Sequence, residues 1–324
     1  MTDSNDWAFP TNLRPRGEDL AFDLDAVLDC VVQLRAEIPE DAFTASILGT
    51  ERAGNGIVIS DNGLVLTIGY LITEASAVWL MTNRGTLVAG DPLAYDQATG
   101  FGLVQALGRL GVPSLERGTA GSCHPGDKVV VAGHGGRAHA LQASVLAKRE
   151  FAGYWEYVLD EAIFTVPAHP QWGGTALIGA DGRLLGVGSL LVEEKMKGET
   201  VQGNMIVPVD LLEPILDNLL TTGRSGHPPR PWLGIYTTEI EHRLVIAGLA
   251  ERGPGAQAGL QVGDMVIEVA GHPVSGLAGL FRSIWHVGPA GAEVPLTVTR
   301  KGDKKRVIVR SADRSDFLKK RSVH

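Results

Sequence analysis

The side chains of this chain best suited to nucleophilic or metal chemistry are two cysteines and nine histidines, and their spacing limits what they can do. Cys30 and Cys123 cannot build a disulfide framework, and neither stands at a metal-ligand spacing. Cys123 precedes His124, but chain neighbours seldom face each other as a thiolate–imidazole pair, so both cysteines read as inert thiols. Thr175 and His169 place a hydroxyl and an imidazole in one short segment. A hydroxyl is a weak nucleophile until a base takes its proton. Strand direction is expected to point the two apart, and no hydrolase is expected from them. His124, His134, His139 and His169 would have to converge to hold a metal. They match no metal-binding pattern, and the reading is scattered surface histidines in loops with no metal and no cofactor.

The elements that would position these groups are mostly strands. Apolar residues make up 44% of the 324 residues and charged residues 20%, enough for a sizeable core and too apolar for global disorder. Forty-one glycines, about 13% against a usual ~7%, show no collagen-like period and point to a turn-rich chain. Short apolar runs recur at 27–34, 56–60, 64–68, 76–82, 102–107, 128–133, 162–166 and 183–192, the pattern of a β sandwich or barrel. Asp61-Asn62-Gly63 and Ala180-Asp181-Gly182 supply hairpin-type turns. Window 63–81 has the length of a membrane span, but Glu74 and its Thr and Ser residues make short strands the better reading. Apolar residues at 211, 212, 215, 216, 219 and 220 have helical spacing. The glycine- and proline-rich 221–231 that follows reads as a linker. Beyond it lie further strands and one amphipathic helix carrying Leu277, Leu280, Phe281, Ile284 and Val287 on one face.

Net charge is 29 − 37 = −8, which argues against nucleic acid or an anionic membrane as partner. The first residues are acidic and carry no apolar run, so no secretory signal is read and a cytoplasmic chain is expected.

The C-terminal block Gly255-Ala-Gln-Ala-Gly-Leu260-Gln-Val-Gly263-Asp264-Met-Val-Ile267, with Val269-Ala-Gly271-His-Pro-Val274, resembles PDZ domains of bacterial proteases. Trp232, Leu233, Gly234 and Ile235 stand where that family carries its carboxylate-binding loop. There, successive backbone N–H groups receive a peptide's C-terminal carboxylate, and the next strand pairs with the peptide. The preceding residues resemble the HtrA (Deg) family of trypsin-fold serine proteases. The resemblance rests on Gly54-Asn-Gly-Ile-Val-Ile-Ser-Asp-Asn-Gly-Leu-Val-Leu-Thr67, Val129-Val-Val-Ala-Gly133, Ala180-Asp-Gly-Arg-Leu-Leu-Gly186 and Asn204-Met-Ile-Val-Pro208. It implies two six-stranded β-barrels followed by a PDZ domain.

The same resemblance places the family's catalytic histidine at Tyr70, its aspartate at Gly100 and its nucleophilic serine at Gly173. The oxyanion-loop glycine falls on Gln171, and Trp172 stands between the two. A phenol with a pKa near 10 is a poor base at neutral pH, and glycine offers neither acceptor nor nucleophile. The first histidine is His124, so the first barrel cannot supply the base from a shifted position.

The resemblance therefore implies a pseudoprotease that works by binding protein or peptide C-termini through Trp232–Ile235, with Trp172 a core plug or a partner anchor. The alternative is a serine-type endopeptidase with a non-standard site, and a third reading is a regulatory subunit co-assembling with another protein. A homotrimer is implied by the family, although this arm is acidic and departs from the family's. The expected domains are an extended or partly disordered arm (1–25), a degenerate protease domain (26–222), a linker (223–231), a PDZ domain (232–312) and a frayed basic tail (313–324).

Overall fold

A computed structural model describes residues 7–196 and 198–320. The chain forms two compact units, one of residues 7–149, 161–226 and 320, the other of 150–160 and 227–319.

In the first unit, α1 (Leu24–Leu28) is capped by Asp23, whose carboxylate accepts from the N–H groups of Asp25 and Ala26. The run 27–34, expected as a strand, thus opens with the last two residues of this helix and becomes strand only from Val31, because Asp23 satisfies the first orphan amides. Six strands then close a barrel: β1 (Val31–Glu37), β2 (Glu51–Val58), β3 (Leu64–Ile68), β4 (Ala77–Met81), β5 (Leu87–Tyr95) and β6 (Phe101–Ala106), in the order β1-β2-β3-β6-β5-β4. A short helix, α2 (Ala45–Leu48), lies between β1 and β2. The barrel interior is filled by Val32, Leu34, Val65, Leu80 and Val104, all at 0% exposure and on one face of the paired strands. Closure removes the sheet edges. The apolar window 63–81 is β3, a 3₁₀ turn and β4, and among the described residues no helix is long and apolar enough to cross a membrane.

A second closed barrel runs β10-β11-β12-β9-β8-β7. Its strands are β7 (Lys128–Ala132), β8 (Ala140–Gly153), β9 (Tyr157–Val166), β10 (Ala176–Ile178), β11 (Leu184–Met196) and β12 (Glu199–Pro208). Val129, Val131, Leu141, Ile163, Leu177, Leu185 and Ile206 form its core, joined by Phe9. The expectation of an extended or partly disordered arm is corrected here for residues 7–25. Phe9 is buried, its N–H donates to Ala138, and the Trp7 ring stacks on His139 at 4.4 Å. Residues 1–6 lie outside the described residues. The helix expected over 209–220 is a 3₁₀ turn (Val209–Leu211) and then α3 (Leu216–Thr222). Pro214 intervenes, lacking the N–H a continuous helix needs.

The second unit holds β13 (Ile235–Ile240), β14 (Arg243–Leu249), α4 (Pro254–Gln257), β15 (Met265–Val269), β16 (His272–Pro273), α5 (Leu277–His286), β17 (Glu293–Arg300) and β18 (Asp303–Arg310). Its sheet runs β13-β14-β15-β17-β18, which leaves β13 at an edge. The helix α5 buries Leu280, Phe281 and Ile284 against Leu233, Ile235, Val294 and Val298. Residues 150–160, the tip of the β8–β9 hairpin that the sequence reading assigns to the protease domain, belong to this unit, and Val158 joins its core. The tail is ordered as far as it is described. Arg314–Asp316 is a 3₁₀ turn, and Phe317 meets Trp232 edge-on at 4.8 Å. Residues 321–324 lie outside the described residues.

Asp264, at 1% exposure, receives Arg300 through Nε at 2.6 Å and Nη2 at 2.7 Å, and the Gln261 N–H at 2.9 Å. Removing one member of such a pair strands a buried charge, which costs a few kcal/mol. Arg300→Ala is therefore expected to lower the urea midpoint of this unit, because it leaves the buried Asp264 carboxylate without its cation. An unchanged midpoint would contradict it.

Candidate functional site

Two places gather the residues singled out above, one in each unit. In the first, β2 and the 169–175 loop are fastened by Asn55. Its N–H donates to the Gly173 carbonyl at 2.8 Å, and its Nδ2 donates to the carbonyls of Gln171 and Gly173 at 2.9 and 3.1 Å. Its Oδ1 accepts the N–H of His134 at 2.8 Å. The approach is so close that a Cβ at Gly174, whose φ is +78°, would lie 1.8 Å from the Asn55 carbonyl. Only glycine fits there.

Tyr70 follows β3 in a 3₁₀ turn, and its hydroxyl donates to the Ser189 carbonyl at 2.8 Å. That hydroxyl lies 2.8 Å from where a Cβ at Gly173 would stand. Gly100 is tied to the same turn, its carbonyl accepting the Gly69 N–H at 2.7 Å. Tyr70, Gly100 and Gly173 therefore meet in one neighbourhood. Burial raises the Tyr70 phenol well above its usual pKa, and a hydrogen bond from the Trp172 side chain opposes this only in part. Trp172 itself is half-buried.

His169, at 0% exposure, has both ring nitrogens engaged. Its Nδ1 accepts the Gln171 N–H at 3.1 Å, and its Nε2 faces the His139 carbonyl at 3.0 Å. An accepting Nδ1 and a carbonyl opposite Nε2 fix the neutral tautomer with the proton on Nε2. Burial pushes its pKa down to about 4, with the His139 carbonyl pulling the other way. The Gln171 N–H, which a working oxyanion loop would aim at substrate, is spent on this imidazole.

Thr175 Oγ1 donates to the Trp172 carbonyl at 3.0 Å, while His169 is bound elsewhere, so the two form no dyad. Cys123 is buried, its thiol directed at the Ala120 carbonyl and raised in pKa by burial, whereas His124 is exposed and 3.8 Å from Asp127. Burial likewise lifts Cys30 to about 12. The reading of four surface histidines is corrected for three of them. His134, His139 and His169 are 7%, 4% and 0% exposed, and the rings of His139 and His169 pack against loop carbonyls and the Trp7–Phe9 segment. They neighbour one another through backbone carbonyls, and no group of three or more metal-ligating side chains occurs among the described residues.

In the second unit, Trp232 is buried and paired with Ala312, and the next three residues present their amides to one acceptor. Glu156 Oε1 accepts from Gly234 at 2.7 Å, Ile235 at 3.0 Å and Leu233 at 3.2 Å, and Oε2 accepts from Leu233 at 3.0 Å. Gly234 adopts φ +70°, which turns consecutive N–H groups to one side and makes an anion-binding concavity. Burying a carboxylate costs several kcal/mol unless it is hydrogen-bonded. Bonds to a charged group return about 1.5–3 kcal/mol each, so three amides can balance that cost. Burial pushes the Glu156 carboxyl up to about 7, while the amides of Leu233, Ile235 and Gly234 and the charge of Arg314 pull it down. The sequence reading missed Glu156. Its signal is an acid set in the aromatic run Phe151–Tyr157 with glycine at 153, a composition too apolar for an exposed hairpin tip.

His169 yields a test. It stays neutral in the fold and protonates near 6.5 when unfolded, so its stabilising share is complete above 6.5 and falls away as pH drops toward 4. The shift corresponds to roughly 3 kcal/mol. The His169 ring resonances are expected to titrate with a midpoint near 4, and His169→Gln to flatten the acid limb of stability. A midpoint near 6.5 would contradict the buried neutral ring.

The chain is similar to known proteins in both units. The trypsin-like peptidase domain family matches residues 54–187 and the PDZ domain family residues 231–310. A probable periplasmic serine endoprotease DegP-like of Halomonas elongata is 25% identical over 279 residues, covering 82% of this chain and 57% of that protein. The serine endoprotease DegS of Salmonella typhimurium is 23% identical, covering 76% of this chain and 73% of its own. This chain thus spans little more than half the length of the DegP-like relatives. The fold is that of the HtrA-type protease AlgW solved with a decapeptide (TM-score 0.53, 17% identity, 90% of this chain and 98% of that one). It is also that of a serine endoprotease from Yersinia pestis (TM-score 0.51, 18% identity, 91% and 99%). The expected cytoplasmic location is overturned, because the DegP-like relatives are named as periplasmic and an acidic opening segment does not decide a compartment. The chain thus carries a trypsin-like peptidase domain followed by a PDZ domain, and it is similar to proteins named as DegP-like and DegS serine endoproteases.

Proposed function

We propose that this chain is a pseudoprotease, an HtrA-type protein that binds peptides through Leu233, Gly234 and Ile235 and does not cleave them. The observation that carries this is the meeting of Tyr70 and Gly173: a phenol with a raised pKa stands against a position that bears no nucleophile. Gly100 offers no acceptor to orient a base, and the only histidine in the 169–175 loop is neutral with both nitrogens engaged. Each part of acyl transfer, nucleophile, base and oxyanion donor, is thus without its group. The relatives' names favour the second reading, a serine endopeptidase, and the same experiment decides between them.

Purified full-length chain is expected to leave casein intact at high protein concentration and to take no label from a fluorophosphonate, which reports an activated serine. Cleavage abolished by Thr175→Ala or His169→Ala would overturn the proposal. Gly173→Ser is expected to restore nothing and to lower stability by about 1–3 kcal/mol, because its Cβ would press on the Tyr70 hydroxyl. Adding Tyr70→His to Gly173→Ser is expected to recover much of that loss in thermal unfolding.

A further inference from the structure

The amides that would receive a peptide carboxylate already hold one. Glu156 places its carboxylate against the N–H groups of Leu233, Gly234 and Ile235, and it is only 5% exposed. The residues beside it complete the imitation of a bound peptide. The carbonyl of Tyr154, two residues earlier, accepts the N–H of Thr237 at 3.0 Å, a main-chain bond on the edge strand β13. Val158, two residues later, belongs to the same buried cluster as Leu233, Ile235, Phe281 and Ile284. Main-chain pairing along an edge strand, apolar burial and a captured carboxylate are how an extended peptide is recognised at a sheet edge.

The hairpin is also built to stay in place. Arg282 on α5 holds both of its arms, reaching Glu150 at 2.5 Å and bonding to Asp160. Trp155 stacks on Tyr157 at 5.6 Å, and a side chain at Gly153 would collide with the Trp155 ring at 2.6 Å. Glu156 itself sits at φ +60°, a left-handed backbone that non-glycine residues adopt at a cost. Its side-chain bonds compensate for that strain.

We propose that the hairpin tip 150–160 is an internal ligand of the carboxylate-accepting loop, so that a peptide with a free C-terminal carboxylate binds only by displacing Glu156. This rests on the peptide-binding reading above and adds a gate to it. The ligand class that opens the gate is a peptide with a terminal carboxylate and an apolar last side chain, since those are the groups Glu156 and Val158 imitate. Peptide affinity is then reduced by the fraction of molecules in which the hairpin is displaced.

The test uses the full chain and a pool of fluorescein-labelled decapeptides, randomised at the last four positions, with free C-terminal carboxylates, against the same pool amidated. Glu156→Ala is expected to bind the free-acid pool at least tenfold tighter than wild type, and neither protein to bind the amidated pool. Glu156→Gln, which keeps the shape, is expected to move in the same direction by less. Hydrogen exchange gives a readout independent of any ligand. In Glu156→Ala the amides of Leu233, Gly234 and Ile235 exchange at least tenfold faster, while α5 and β17 stay protected and report that the unit is folded. Equal free-acid binding by wild type and Glu156→Ala would overturn the gate and leave the peptide-binding reading standing. Binding by none of the three proteins would overturn both, and equal binding of acid and amide would overturn the loop as a carboxylate site.

Discussion

Backbone N–H groups that turn to one side without a partner are costly to bury, and much of this molecule answers that constraint. The loop of Leu233, Gly234 and Ile235 aims three of them at one point, and Glu156 meets them there. Asn55 does the same work for carbonyls in the 169–175 loop, and His169 takes the Gln171 amide. In both places a side chain from a distant part of the sequence satisfies backbone groups that an open binding or catalytic site would leave for a ligand. A trypsin-like peptidase and a PDZ domain each depend on exposed donors of this kind. Here the amides of Gln171, Leu233, Gly234 and Ile235 are engaged from within.

The two sites reach this condition by different physics. In the barrels the engagement is neutral: a phenol on a carbonyl, an imidazole between an amide and a carbonyl, an asparagine fork. Such bonds contribute modestly each but cannot be left unmade once buried. In the second unit the engagement is ionic, and the carboxylate must be weighed against its own desolvation. Arg314 supplies a favourable charge, while Arg282 anchors the hairpin arms away from the buried oxygen.

That the fold is mostly β was legible because apolar periodicity and turn residues are local, whereas the two barrels and the PDZ domain came from the motif blocks and the family they resemble. Short runs failed where one residue overrode the pattern, as Asp23 did in capping α1 and Pro214 in splitting the helix expected at 209–220. The motif positions Tyr70, Gly100 and Gly173 could be read in sequence because they lie in recognisable blocks. What each touches could not, because Ser189, Trp172 and Asn55 become neighbours only where the first barrel meets the 169–189 segment of the second. Glu156 was hidden for the same reason, separated by 77 residues from the first amide it binds. The arm and the three inner histidines were misjudged together. Polar composition at residues 7–25 gave no hint that Trp7 and Phe9 would cover His139 and His169.

The phenol of Tyr70 and the bare Cα of Gly173 share one small volume, and this has a consequence for the paths that lead through sequence space. A side chain at 173 needs the ring at 70 to shrink, yet a smaller residue at 70 leaves a void and an unmet carbonyl at Ser189. Each single step is expected to run downhill in stability, and the paired change to recover much of the loss. The need to stay folded would therefore hold these two positions long after any selection on activity had ended, and their persistence among close descendants would record packing, whatever the chain is used for.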